Sequence, residues 1–155
     1  MKKMWSVAFA ALLSASLLTS CDEDQEDVGM NMYTISGNAT GAQMSPAVTT
    51  NATGTITGTY DANTNLLTYT TTWTGLGGNA TTGGFFAGTA GQNGTAAGTG
   101  WTLGANAGTS GTYSGTMTLT DAQETQLLNG GWYYTVGTAT RTSGEIRGQI
   151  TATRR

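Results

Sequence analysis

The sequence predicts an all-β fold with one short helix, and three observations predict it. The chain has 155 residues, which allows one compact domain and hardly a second. Only 10% of its residues are charged, whereas 24 are glycine and one is proline. Thr, Tyr and Trp, which favour strands, recur throughout between glycine-rich turns. A disordered chain would combine low hydrophobicity with many charges, so the composition favours many short strands.

A hairpin is the clearest predicted element. Residues Thr53–Tyr60 form a strand-like run that precedes an Asx-rich connection at 61–65. From Leu67 to Trp73 every second residue is apolar, aromatic or Thr, which places these side chains on one face of a strand. Asp61 is expected to cap the turn between the two strands.

Further short strands are predicted along the chain, at 32–35, 83–90, 101–103, 113–119, 132–138 and 144–153. Thr120 and Gln123 fit a capping box that begins one short helix, and Asn129-Gly130-Gly131 ends it. Strands at nearly regular spacing indicate an antiparallel β-sandwich of immunoglobulin-like or superoxide-dismutase-like Greek-key type.

Residues 1–20 are predicted to be a signal peptide. Lys2 and Lys3 precede an apolar run that is too short to span a bilayer as a helix. The run ends in Leu18-Thr19-Ser20-Cys21, which resembles a bacterial lipobox. The resemblance implies cleavage before Cys21, a diacylglyceryl group on its thiol and an acyl chain such as palmitate on its amine. The alternative is an ordinary secretory signal with an incidental cysteine.

Residues 21–29 are predicted to be the lipidated cysteine and an acidic tether. Five carboxylates stand within residues 22–27, and their mutual repulsion favours an extended, solvated segment. Binding of Ca²⁺ or of a basic partner is the alternative. The acidic run also resembles an export tag of outer-membrane lipoproteins. We therefore expect a bacterial outer-membrane protein anchored by lipid and exposed at the cell surface, with the periplasmic face as the other possibility.

Residues 30–155 form the predicted domain, whose four acidic and four basic residues balance. A neutral domain lacks the basic footprint of a nucleic-acid-binding protein, so no nucleic-acid partner is expected. The chain has no histidine, and its one cysteine lies outside the domain. No ligand set for zinc or copper remains, so we expect neither a metal nor another cofactor.

The end of the chain resembles the CHRD (chordin-type) domain, which also occurs in exported bacterial proteins. The resemblance rests mainly on the segment Gly144-Glu145-Ile146-Arg147-Gly148-Gln149-Ile150, preceded by the strand 132–138. The opening segments 33–37 and 45–48 and the strand 63–69 are similar as well. The resemblance covers about residues 32–151 and implies a β domain used as a binding or structural module.

The resemblance also implies three histidine positions, in a His-x-His motif and a Val-His-Thr motif. Here those positions hold Phe85, Ala87 and Gly137. A metal or polar site that such histidines build in relatives is therefore expected to be absent from this chain.

Glu145 and Arg147 are the only charged pair within a strong strand signal, and they share one face at positions i and i+2. One interpretation is a binding pair, or a general acid with an electrostatic stabiliser, as in a hydrolase-like enzyme. The other is a structural role, in which the two form an ion pair or Arg147 donates to carbonyl groups. Without histidine or a domain lysine no base is available to activate a serine or threonine, which favours the structural role.

Trp101 is surrounded by Gly, Ala and Thr and is the candidate for an exposed, sugar-stacking aromatic. Core packing is the alternative for it, and is the prediction for Trp73. The function predicted is a non-enzymatic, lipid-anchored module that binds a protein, a glycan or a matrix component, or has a structural role.

Overall fold

The computed structural model describes residues 31–104 and 107–155. The predicted signal peptide, Cys21 and the acidic tether lie outside the described residues. The strands of the described part are Met32–Thr40 (β1), Thr53–Asp61 (β2), Leu66–Thr74 (β3), Ala80–Ala87 (β4), Thr95–Ala96 (β5), Gly111–Thr118 (β6), Trp132–Thr138 (β7), Arg141–Gln149 (β8) and Thr151–Arg154 (β9). One helix, Asp121–Leu128 (α1), and a 3-10 turn, Gly41–Gln43, complete the described elements. No described helix is long and apolar enough to cross a membrane.

The strands form one antiparallel sheet in the order β5-β4-β7-β8-β1-β2-β3-β6, with β9 paired to β1. The all-β prediction is confirmed. The sheet curls so that its two halves pack on each other. Tyr69 of β3 meets Phe85 of β4 with 4.6 Å between ring centroids, although four other strands lie between β3 and β4 in the order of the sheet. The two layers of the sandwich are therefore halves of one sheet.

The predicted hairpin is present. β2 and β3 pair along their whole length, from Thr53 opposite Thr74 to Asp61 opposite Leu66. The backbone N–H of Asn63 donates to Oδ1 of Asp61 at 2.9 Å, so Asp61 caps the turn as predicted. Asn65 adopts a left-handed φ of 56°, which Asn tolerates better than most residues.

The helix α1 begins with the predicted capping box. The Thr120 hydroxyl accepts from the Gln123 backbone N–H, and the Gln123 side chain accepts from the Thr120 backbone N–H. Leu127 is fully buried and anchors the helix to the core. Gly130, at a φ of 70°, stands just after the end of the helix.

Several strand predictions differ from the structure, and the strand predicted at 83–90 lies three residues earlier, at Ala80–Ala87. Residues 101–103 form no strand, and the short strand of this glycine-rich region is β5, which pairs with the end of β4. The predicted strand 144–153 begins earlier and divides at Ile150 into β8 and β9. At this division the Ile150 backbone N–H bonds the Trp132 carbonyl at 2.9 Å, while β9 continues beside β1. The chain thus passes from one half of the sheet to the other.

Candidate functional site

The strand β8 holds both charged candidates, Glu145 and Arg147, and both are buried, with 3% and 1% of their surface exposed. Gly144, directly before them, has a φ of 125°, which only glycine adopts readily. The pairing of β7 with β8 shifts register at this point, between Val136 and Thr138.

Glu145 holds two loops against the sheet. Its Oε1 accepts from the Thr50 hydroxyl at 2.7 Å, in the connection between β1 and β2. The same oxygen accepts from the backbone N–H of Gly77 at 2.9 Å, in the connection between β3 and β4. The Thr138 hydroxyl lies 3.5 Å from Oε2. A buried carboxylate without hydrogen-bond donors would destabilise the fold, and these donors offset that cost for Glu145.

Arg147 contacts a different loop. Its Nη2 donates to the Thr89 carbonyl at 2.7 Å and to Oε1 of Gln149 at 3.2 Å. The guanidinium carbon lies 3.6 Å from the centre of the Tyr133 ring, a cation–π contact. Nε and Nη1 have no hydrogen-bond partner among the described residues. Burial lowers the pKa of this guanidinium, while the nearby Tyr133 acts in the other direction.

Gln149 extends the same set of contacts. Its Nε2 donates to the carbonyl of Gly88 at 2.9 Å and to that of Gly130 at 2.8 Å. Arg147 and Gln149 together hold residues 88–89 and the turn after α1 to the sheet. The segment 144–150, which carries the family resemblance, therefore holds several loops to the sheet through buried polar contacts. We call its residues Glu145, Arg147 and Gln149 the brace.

Within the described part of the chain, no hydrogen bond or ion pair joins Glu145 to Arg147. The ion-pair interpretation is not what the structure contains. Arg147 instead donates to a carbonyl, the other form of the structural interpretation. The hydrolase-like interpretation required convergent polar groups, and these two side chains serve separate loops.

Beside Arg147 lies an open groove of about 770 Å³ on the outer face of β4, β7 and β8. Aromatic residues Phe86 and Tyr133 stack with 5.3 Å between ring centroids on one part of it. Arg141 and Arg147 line it, and no Asp or Glu stands among its lining residues. The remaining lining is mostly hydroxyl, amide and small apolar groups from residues 44–48, 93–94, 135 and 140–144.

Trp101 is not exposed, so the prediction of a surface aromatic is wrong. Only 7% of its surface is accessible, and its ring stacks on Tyr113 at 5.2 Å between centroids. Gly83 permits this, because a Cβ there would overlap the indole. Trp73 is buried, as predicted.

A second surface feature is a broad array of hydroxyl groups on the opposite half of the sheet, which we call the hydroxyl face. Cross-strand register aligns its members in ranks: Thr34, Thr59, Thr68 and Thr116; Ser36, Thr57, Thr70 and Ser114; Asn38, Thr55, Thr72 and Thr112; and Thr40, Thr53 and Thr74. Thr151 and Thr153 of β9 extend the second and first ranks beside Ser36 and Thr34. All these residues are exposed or half-buried, and none is charged.

Hydroxyl groups on neighbouring strands bond to one another across this face. Thr55 meets Thr72 at 2.7 Å, and Thr70 meets Ser114 at 2.8 Å. Sequence reasoning missed the face, although the signal was present as Thr at every second position in β2 and β3. This alternation predicts strands, but it does not show which strands become neighbours.

The three positions implied for histidine lie on two adjacent strands. Phe85 stands opposite Tyr134, Ala87 opposite Trp132, and Gly137 opposite Thr82. Phe85 is buried in the aromatic core. Among residues 31–104 and 107–155, no three His, Cys, Asp or Glu residues are grouped so as to hold a metal ion.

Comparison with known families gives a match to the CHRD domain over residues 35–150. The chain belongs to the CHRD domain family. The match spans the sheet from β1 to the end of β8 and includes the whole brace. Searches among curated proteins and solved structures gave no significant match. The family resemblance drawn from the segment 144–150 is thereby confirmed for the CHRD domain of this chain.

Proposed function

We propose that this protein is a non-enzymatic, lipid-anchored CHRD module of the bacterial outer membrane that presents its hydroxyl face to a neutral polysaccharide. The hydroxyl face is the observation that carries the proposal. Its ranks contain no charged residue, and the guanidinium of Arg155 reaches them at the edge, at Thr34, so the face carries no broad charged patch of the kind that attracts nucleic acid. Each hydroxyl can both donate and accept a hydrogen bond, as the hydroxyl groups of a sugar can.

The geometry of the face supports an extended ligand. Neighbouring strands stand about 4.7–4.9 Å apart, and residues on one face recur about every 6.6–6.8 Å along a strand. Hydroxyl pairs such as Thr55 with Thr72 already restrain their side chains. Binding therefore orders few additional rotamers, which lowers its entropic cost.

The anchor is proposed from the sequence. Cys21 follows the segment Leu18-Thr19-Ser20, and two or three acyl chains hold a protein at a membrane stably. The acidic tether then separates the membrane from the domain. Such a protein would keep the hydroxyl face at the cell surface, where polysaccharide is met.

The test is co-sedimentation of the full chain, solubilised in detergent, with insoluble cellulose and with insoluble starch. The double variant Thr57→Lys and Thr116→Lys places two charges in the hydroxyl face, on strands that do not pair with each other, so that the lysines do not stand opposite one another. The control, Ala122→Lys with Gln126→Lys, places the same charges on exposed positions of α1.

We expect the parent to sediment with at least one polysaccharide and the control to match it. The hydroxyl-face variant should lose most of the bound fraction while keeping the parent melting temperature. Absence of binding by the parent to both polysaccharides, or an equal loss in both variants, would contradict the proposal.

A further inference from the structure

We propose that the groove beside Arg147 binds the anionic group of an acidic sugar, and that Arg147 and Arg141 receive it. This site lies on β4, β7 and β8, on the other half of the sheet from the hydroxyl face. It is independent of the proposed function.

Arg147 is 1% exposed, and its Nε and Nη1 lack a partner among the residues that the structure describes. A buried polar group without a partner is costly, and a buried charge without a counter-ion is more so. The contacts that Arg147 does make use Nη2 and the Tyr133 ring, and none is to a carboxylate. An anion in the groove, which Arg147 lines, would supply the missing counter-charge.

The charges of the groove support an anionic ligand. Arg141 and Arg147 both line it, and its lining includes no acidic side chain. Glu145, the nearest acid in sequence, is occupied by Thr50 and Gly77 on different loops. Guanidinium groups form charge-assisted hydrogen bonds with carboxylate and sulfate oxygens, which are stronger than neutral ones.

The rest of the lining suits a sugar ring. Hydroxyl groups of Ser45, Thr140, Thr142 and Ser143 stand around the groove, together with Phe86. These groups can bond ring hydroxyls, and an aromatic face packs against the apolar side of a pyranose. A volume of about 770 Å³ falls in the range of small-molecule sites.

The test is isothermal titration calorimetry of the full chain in detergent with sodium glucuronate, sodium sulfate and glucose. We expect one-to-one binding of glucuronate, weaker binding of sulfate and no binding of glucose. Equal affinity for sulfate and glucuronate would overturn the sugar assignment, and absence of glucuronate binding would overturn the site.

Arg141 supplies the variant that leaves the fold intact, because it is exposed at the start of β8. Arg141→Gln should weaken glucuronate binding at least fivefold without changing the melting temperature. Arg155→Gln removes the same charge from the end of the chain, far from the groove lining, and should leave the affinity within twofold of the parent. Equal weakening by both variants would show that net charge alone attracts the ligand and would overturn the proposal.

Discussion

The guanidinium carbon of Arg147 lies 3.6 Å from the centre of the Tyr133 ring, and Phe86 stacks on the same ring from the neighbouring strand β4. Three side chains from three adjacent strands thus form one layer on the outer face of the sheet. The layer gives Arg147 a fixed position while two of its nitrogens stay without partners. These three side chains therefore stabilise the sheet and also line the groove.

Removal of Arg147 should therefore destabilise the fold. Arg147→Ala deletes the hydrogen bonds to Thr89 and Gln149 and the contact with Tyr133. We expect a loss of about 1–3 kcal/mol in the free energy of unfolding, which lowers the melting temperature by several degrees. Thermal melts measure this. The exposed Arg141→Ala is the control, and a melting temperature for Arg147→Ala equal to that of this control would refute the structural role.

The burial of Trp101 predicts a strong effect at Gly83. A Cβ at this position would overlap the indole ring, so Gly83→Ala must displace it. Overpacking of this kind costs about 1–3 kcal/mol. Gly104→Ala is the matched control, because a Cβ there meets no atom within 4 Å. Chemical denaturation of both variants should separate them, and equal stability would show that the ring is not packed against Gly83.

Buried tyrosines predict a loss of stability at high pH. Burial raises the pKa of Tyr69 to about 12, and burial also raises the pKa of Tyr134. A tyrosine of the unfolded chain loses its proton at about pH 10. Above this pH the unfolded state therefore binds fewer protons than the folded state. Stability is then complete below about pH 10 and falls as the pH rises toward the folded pKa.

Melting temperatures between pH 8 and pH 12 test this expectation. The Tyr69→Phe variant lacks one of the responsible groups, so its melting temperature should fall less steeply with pH than that of the parent. A decline of the same slope in both proteins would show that Tyr69 does not contribute.

Membrane attachment should depend on Cys21. Cys21→Ser removes the thiol that the lipobox resemblance marks for acylation, and the protein should then leave the membrane fraction. Replacement of Asp22, Glu23 and Asp24 by Ala should keep acylation and reduce cleavage by protease added to whole cells. Membrane association of the Cys21→Ser protein would argue against a lipid anchor, and unchanged cleavage would argue against the export tag.

Local patterns predicted much of this fold. The hairpin from Thr53 to Thr74 and the capping box at Thr120 depend on neighbours in sequence, and the structure contains both. Packing between residues distant in sequence was harder to predict. The small neighbours of Trp101 left exposure and core packing both open, and Gly83, on β4, provides the space that buries the ring.

In the candidate site, too, local features could be predicted from the sequence and long-range contacts could not. The strand segment 144–150 was recognised, and the importance of Glu145 and Arg147 was predicted from their charge. Their actual partners, Gly77 and Thr89, lie on loops whose approach to β8 no local pattern reveals. The hydroxyl face likewise depends on cross-strand register, which the alternation within single strands does not define.

The central claim is that Glu145 and Arg147 hold separate loops to the sheet, and native-state hydrogen exchange tests it most directly. The Gly77 amide donates to Glu145, and the Ala52 amide donates to the Thr50 hydroxyl that Glu145 binds. The Gln92 amide donates to the Thr89 carbonyl that Arg147 also binds. These three amides therefore report on three loops, two of them held by Glu145 and one by Arg147.

Exchange is compared with that of the parent after correction for the change in global stability. Glu145→Ala should speed exchange at Gly77 and Ala52 by about tenfold or more and leave Gln92 unchanged, since a lost buried hydrogen bond is worth about 1–3 kcal/mol. Arg147→Ala should do the reverse. If both variants loosen the same loop, or if neither changes any of the three amides, Glu145 and Arg147 do not act as separate braces.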